Sequence, residues 1–329
     1  MLVAVFAASK CRNSSSVKYA CNMPAELMLG KPVADLLDAE VRREAAALKE
    51  AYKIVPRLDV VQVGQSPASE RYVRNKLRAC ERLGMSANLH LFDDNITGAE
   101  LRDQVRALSA NSAVHGILVQ LPLPMHIEEP AEGAVGKFEI FDAIAPEKDV
   151  DGVARYSVPE LYRADIGKLM FLPCTPLAVL HMMAYYKIET KGKVAAVVGR
   201  NDITSKPMHH ILGGRIGNAA AIWLHRHTRK QDHDALMRQA DIVVTSVGNP
   251  NYRVTRDLVK PGAVVIDIGT RVDPDGTLKG DADPDVCEVA SFVTPVPKGV
   301  GPVTVATLGE NVIRAAKFCL GVGQRGYRF

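Results

Sequence analysis

Tyr72 and Lys76, in the string PASERYVRNKLR at residues 67 to 78, are the first pair in this chain whose types and spacing can do chemistry. Four residues apart, the phenol and the ammonium share one helical face, beside Val73, Leu77 and Cys80. Partial desolvation lowers a lysine pKa, and such a lysine can accept a proton or act as a switchable hydrogen-bond donor. An ordinary amphipathic helix that turns Tyr72 and Lys76 to solvent fits the same spacing.

Four further strings carry polar groups at positions where an α/β protein uses them. In HGILVQLPLP, residues 115 to 124, Gln120 ends a buried run; its amide can orient Lys76 or a substrate carbonyl, or simply cap the strand end. In PEKDVDG, residues 146 to 152, Asp149 and Asp151 flank a valine. A carboxylate ahead of Gly152 can grip an amidine-like edge with two hydrogen bonds, although the same acids can merely solvate a turn. In VVGRNDITSKP, residues 197 to 207, a strand ends at Gly199, Arg200 and Asn201 follow, and Ser205 opens a helix whose backbone N–H groups can cradle phosphate, without the usual GxGxxG string. TPVPKGVGPVT, residues 294 to 304, is a stiff Gly/Pro loop ahead of a helix that Pro302 can begin. His209, His210, His225 and His227 lie near one another without acids or thiols at ligand spacing, and no HExxH string occurs, so no metal is expected.

These groups need a scaffold, and hydrophobic periodicity predicts one. An amphipathic helix is expected over residues 32 to 52, a buried strand over 58 to 63, and a helix from Pro67 to about Leu83. A strand near 89 to 92, a helix over 99 to 108 and a strand over 114 to 121 complete a first parallel sheet. Residues 122 to 168, rich in Pro, Gly and charge, read as a long active-site loop leading into a linker. After a helix over 175 to 186, a second series has strands at 194 to 198, 219 to 223, 241 to 247, 263 to 268 and 291 to 293, with helices near 207 to 212 and 232 to 239. Such a series predicts a doubly wound, Rossmann-like domain with ligands at the carboxyl ends of its strands. The last helix, about 303 to 320, is expected to return to the first domain. The predicted fold is therefore α/β, with a catalytic domain over 24 to 170 joined by 302 to 322, and a Rossmann-like domain over 171 to 301.

Composition narrows the partners. A net charge of +4 arises from 41 basic and 37 acidic residues without a basic stripe, so nucleic acid is not an expected partner. No apolar run reaches the ~20 residues of a spanning helix, so no membrane is expected either. Cys11, Cys21, Cys80, Cys174, Cys287 and Cys319 are scattered without a CxxC pair, which predicts reduced thiols. Residues 1 to 23 contain Lys10, Arg12, Lys18 and four serines but no acid, a composition shared with mitochondrial transit peptides. Because Leu2 to Ala8 is apolar on every side, the expectation is a disordered leader or an upstream start with Met23 as the effective beginning, hence cytoplasmic residence, with the mitochondrial matrix as the alternative.

The Tyr72–Lys76 spacing is also that of short-chain dehydrogenases, but their cofactor loop precedes the pair, whereas Gly199 follows it. The ordered set PASERYVRNKLR, GILVQLPLP, PEKDVDG, PCTP at 173 to 176, VVGR and TPVPKGVGPVT instead resembles the bifunctional methylenetetrahydrofolate dehydrogenase/cyclohydrolase family, over about residues 29 to 320. The resemblance implies a folate-binding domain, a Rossmann-like NADP domain, a cleft between them and a homodimer through the NADP domains. It implies oxidation of methylenetetrahydrofolate to the methenyl form and hydrolysis of that to formyltetrahydrofolate, a one-carbon donor of purine biosynthesis. It assigns Lys76 as the catalytic lysine, Tyr72 as its orienting tyrosine, Gln120 as its tuning glutamine and Asp151 as the pterin-holding aspartate. Val119, Leu121 and the loop Pro297, Lys298, Gly299, Val300, Gly301 would complete the folate site. Gly199, Arg200, Asn201, Ser205, Arg226, Ile268, Thr270 and Thr304 would contact NADP. The family's GRS reads Gly199, Arg200, Asn201 here, its VG reads Thr204, Ser205, its PVPGG reads Pro295 to Gly299 with Lys298, and its CHS reads Leu224, His225, Arg226. A dehydrogenase without cyclohydrolase activity and a non-catalytic folate or nucleotide sensor are the rival functions.

Overall fold

The central strands of a parallel sheet are covered on both faces and so are mostly apolar. The computed structural model, which describes residues 25–163, 169–273 and 276–327, contains two such sheets. The expectation about residues 1 to 23 lies outside the described residues.

The chain enters through a short strand β1 (Glu26–Leu27), helix α1 (Gly30–Tyr52), strand β2 (Arg57–Val63), helix α2 (Pro67–Arg82), strand β3 (Ser86–Phe92), helix α3 (Gly98–Ala110) and strand β4 (Gly116–Val119). β2 lies between β3 and β4, all parallel, with Leu58 opposite Ala87 and Gly116. Along β2 every residue from Leu58 to Val63 is buried. Two caps define the helices that follow: Ser66 Oγ accepts from Ser69 N ahead of α2, and Thr97 forms a reciprocal capping box with Glu100 ahead of α3.

The stretch expected as one long loop after Leu121 is instead partly helical. It holds α4 (Met125–Glu128), α5 (Lys137–Phe141), a 3₁₀ turn at Pro146–Lys148 and α6 (Ser157–Arg163). None exceeds two turns, too short for an apolar stripe to repeat, so periodicity could not reveal them.

Helix α7 (Cys174–Tyr185) is buried on nearly all sides from Leu177 to Met183 and leads into the second sheet. The second series comprises β5 (Val194–Val198), α8 (Ser205–Gly213), β6 (Ala220–Leu224), α9 (Lys230–Met237), β7 (Ile242–Thr245), β8 (Val264–Asp267), a two-residue hairpin pair β9 (Arg271–Val272) and β10 (Leu278–Lys279), β11 (Phe292–Val293) and α10 (Val300–Cys319). The sheet order is β1-β11-β8-β7-β5-β6, with every neighbouring pair parallel. Its first member is unexpected: Glu26–Leu27 pair with Phe292–Val293 although the chain then leaves for the first sheet. Two residues carry no alternation, so only the structure reveals this strand.

As expected, α10 returns to the first sheet. Leu308, Val312, Ile313, Ala315 and Ala316 join Val41, Ala45, Leu58, Val60 and Val73 in one core. Truncating a buried leucine such as Leu58 there would cost roughly 2–5 kcal/mol. Among the described residues no helix is long and apolar enough to cross a membrane.

Candidate active site

Lys76 stands at the meeting point of α2 and the carboxyl end of β4. Val73, Cys80 and Leu83 bury the inner face of α2, and this register delivers Lys76 one turn after Val73 to the mouth of the first sheet. Its Nζ donates to Gln120 Oε1 at 2.9 Å, and Gln120 Nε2 donates to Leu121 O at 2.5 Å, so the glutamine amide is held in one orientation. A cavity of about 110 Å³ opens here, lined by Lys76, Val119, Gln120, Leu121, Phe141, Asp151 and, from the second sheet's side, Ile203. Burial lowers the Lys76 pKa, while the negative charge of Asp151 pulls the other way. Tyr72 is 43% exposed, and among the described residues no hydrogen bond joins it to Lys76. The geometry thus gives Lys76 its orientation through Gln120.

The two acids of PEKDVDG have separate jobs. Asp149 is fully buried; its carboxylate accepts from Val153 N (3.1 Å), Ala154 N (2.9 Å) and Ser157 Oγ (2.6 Å). Burial pushes its pKa up, opposed by those three bonds. It therefore ties the turn after the 3₁₀ segment. Asp151 instead faces the lysine cavity and accepts from Cys174 N at 3.1 Å. The buried Cys174 thiol, also near Asp151, is pushed well above the usual range by burial. Asn311, which donates to Val150 O at 2.7 Å, was not singled out from sequence, and Cys174 stood out only as part of PCTP. Both lie far along the chain from Asp151, and only folding brings them to it.

A second cleft, of about 1090 Å³, runs along the carboxyl ends of β5, β6 and β7. Gly199, Arg200, Asn201 and Arg226 line it, together with Trp223, His225, Ser246, Val247 and Asn249. The last three were legible in principle, since they lie at or just beyond the carboxyl end of a predicted strand. Trp223 Nε1 donates to Gly199 O at 2.5 Å. The remaining expected cofactor residues fall outside this lining. Ser205 starts α8 behind Gly199; Ile268 and Thr270 follow β8, with Thr270 O packed against Gly248; and Thr304 donates its hydroxyl to Val300 O.

The loop from Pro297 to Gly301 is not part of the lysine cavity's lining. Lys298 has φ +87, its carbonyl accepts from Gly30 N at 2.8 Å, and Gly30 has room for no Cβ because the Gly299 carbonyl sits against it. The loop is thereby fastened to the start of α1. The helix after it begins at Val300 rather than near 303, because a proline in the first helical turn forfeits no intrahelical bond.

A Rossmann-like sheet with a nucleotide-sized cleft, set against a second α/β unit whose mouth holds a desolvated lysine, a glutamine and a carboxylate, defines a two-domain nucleotide-dependent enzyme. A family model described as the tetrahydrofolate dehydrogenase/cyclohydrolase catalytic domain matches residues 28–151, and that family's NAD(P)-binding domain matches 173–320. The chain is 43% identical over 290 residues to the Bifunctional protein FolD of Exiguobacterium sibiricum, covering 88% of this chain and 98% of the relative. Among solved structures, the bifunctional FolD methylenetetrahydrofolate dehydrogenase/cyclohydrolase of Campylobacter jejuni shares 36% identity with a TM-score of 0.81, covering 89% of this chain and 99% of that one. The Trypanosoma brucei methylenetetrahydrofolate dehydrogenase-cyclohydrolase, complexed with NADP cofactor and inhibitor, shares 34% identity with a TM-score of 0.82, covering 90% and 98%. This chain belongs to the tetrahydrofolate dehydrogenase/cyclohydrolase family.

The second cleft fits the NADP that this family implies. Gly199, on the cleft's lining, has φ +128, and a Cβ there would stand 2.5 Å from Ser205 Oγ and 2.7 Å from Ser246 O, so only glycine fits at this turn. Ser205 Oγ is buried and without a partner among the described residues. Lys206 and Lys230 are paired with Asp202 and Asp234, whereas Arg200 and Arg226 have no acidic partner among the described residues and are available to a phosphate.

Proposed function

We propose that this protein oxidises methylenetetrahydrofolate to the methenyl form with NADP and hydrolyses the methenyl group to formyltetrahydrofolate, both at the lysine cavity. The observation that carries the reading is the Lys76–Gln120 hydrogen bond beside Asp151. NADP supplies the hydride acceptor, held by the Gly199 turn with Arg200 and Arg226 toward its phosphates. Asp151 binds the pterin edge and so fixes the one-carbon group relative to Lys76. After oxidation that carbon is electron-poor. Lys76, favoured in its neutral form by burial, takes a proton from the attacking water and returns it as the ring opens. Gln120 aims the Lys76 nitrogen and excludes other rotamers, and Tyr72 packs at the entrance. Pro297 to Gly301 form the outer wall for the folate tail, and Ser205, Ile268, Thr270 and Thr304 contribute to the cofactor side.

The same reading divides the chain into a catalytic domain of residues 24–170 with 302–322 and a cofactor domain of residues 171–301. It pairs two copies through their cofactor domains and places them in the cytoplasm. The free thiols of Cys80, Cys174, Cys287 and Cys319 agree with a reducing compartment. Replacing Lys76 by Met tests the reading. Methenyl hydrolysis should vanish while NADP binding, followed by quenching of the single tryptophan, Trp223, stays at the parent level. Hydrolysis at the parent rate would overturn the assignment.

A further inference from the structure

Beyond α10 the chain turns back onto the segment that joins the two sheets. Gly326 N donates to Leu169 O at 2.8 Å, and Arg325 Nη1 pairs with Glu160 Oε1 at 2.7 Å. Glu160 in turn accepts from Met170 N at 3.2 Å through its other oxygen. Tyr327, only 7% exposed, lies beneath the Arg314 guanidinium, 4.1 Å from the ring centre. Its hydroxyl accepts from Leu172 N at 3.0 Å and donates to Asn311 Oδ1 at 2.9 Å.

Asn311 is the pivot. Its Nδ2 donates to Val150 O at 2.7 Å and to Leu172 O at 3.0 Å. An amide flipped the other way would set its oxygen against both carbonyls. The Tyr327 hydroxyl gives Oδ1 its donor and so selects the orientation in which Val150 is gripped. Val150 directly precedes Asp151, whose carboxylate lines the lysine cavity. The contact therefore runs from Tyr327 through Asn311 and Val150 to Asp151. The family's NAD(P)-binding model ends at residue 320, so Tyr327 lies outside the segment this chain shares with that model.

We propose that Tyr327 is a positioning residue for the folate site, holding the Val150–Asp151 backbone through Asn311. The inference rests on Asp151 as a folate-binding residue. Tyr327→Phe keeps the ring under Arg314 and removes only the hydroxyl. Losing one net hydrogen bond from this relay should raise the KM for methylenetetrahydrofolate roughly five-fold. The value of kcat and the Kd for NADP read from Trp223 should remain near those of the parent. Arg325→Gln breaks the tail's ion pair without touching Asn311 and should leave that KM unchanged.

A Tyr327→Phe protein with a lowered melting temperature and an unchanged KM would show a purely structural tail and overturn the proposal. So would an equal rise of KM in Arg325→Gln, or a parallel loss of NADP affinity in Tyr327→Phe. Asp151→Asn separates the two layers: an unchanged folate KM in that variant would instead refute the folate-site reading on which the proposal stands.

Discussion

Asp149→Ala and Asp151→Ala remove carboxylates two positions apart, and their consequences should be opposite. Asp149→Ala strands two backbone N–H groups, of Val153 and Ala154, and the Ser157 hydroxyl, all close to a fully buried position. A buried donor left without its acceptor costs roughly 1–3 kcal/mol. Part of this is offset, because the carboxylate is itself disfavoured by burial and the hydroxyl can rotate to another acceptor. A net loss of about 3 kcal/mol follows, equivalent to a fall of roughly 4–5 °C in melting temperature for a chain of 329 residues. Asp149→Asn keeps one acceptor oxygen and should lose about half as much. Among the described residues Asp151 accepts one backbone N–H, from Cys174, so Asp151→Ala should cost no more than about 1–1.5 kcal/mol in stability. Its folate KM should nevertheless rise roughly 10- to 100-fold, the equivalent of one lost charge-assisted pair. Circular-dichroism melts and saturation kinetics on the three variants measure both axes. If Asp149→Ala melts with the parent, or if it raises KM as Asp151→Ala does, the division of labour between the two acids is wrong.

The cofactor side and the pH response give two further expectations. Arg200→Ala and Arg226→Ala should each weaken NADP by about one to two orders of magnitude with little effect on NAD, and since both side chains are exposed the losses should shrink as salt is raised. Parallel titrations followed through Trp223 decide this, and equal losses for the two cofactors would sink the 2′-phosphate assignment. Burial raises the Asp267 pKa from 3.8 to about 7, so the folded protein keeps a proton that the unfolded chain releases. Its contribution to stability should therefore decline as pH rises from about 4 to about 7 and stay level above that. The stability of the parent relative to Asp267→Asn, from urea midpoints across that range, should fall with pH; a flat difference would exclude Asp267 as the titrating group.

Much of the architecture was readable because each long element announces its own period. β2, α2, α3, α7 and β5 lie within a few residues of their expected bounds, framed by Ser66, Thr97 and the glycines that end strands. The members of the site were readable for a different reason: Gln120 and Asp151 sit just beyond the ends of elements, where side chains escape the core, and Lys76 stands one turn from its neighbour Tyr72 on a face of α2. Their mutual geometry was not. The sequence offered Gln120, 44 residues on, as one group able to orient Lys76, but nothing in the spacing chose between it and Tyr72. Asp149 and Asp151 look alike as letters. Which one is buried depends on Ser157, Val153 and Ala154 closing round the first, a local wrap without periodic signature. Short helices such as α4 and α5, and the two-residue strand β1, carry too few residues to repeat any pattern.

That strand has a consequence for how the molecule is put together. β1 emerges near the beginning of the chain, yet its partner β11 is made only after both α/β series have been synthesised. α10, which completes the first core, comes later still. Each half of the protein therefore borrows a piece from the opposite end of the chain, and neither core closes before nearly all of the polypeptide is available. The domains are laced together at three crossings rather than hung on one linker, so a single cut cannot release either half intact, and their relative motion is confined to what all three crossings allow.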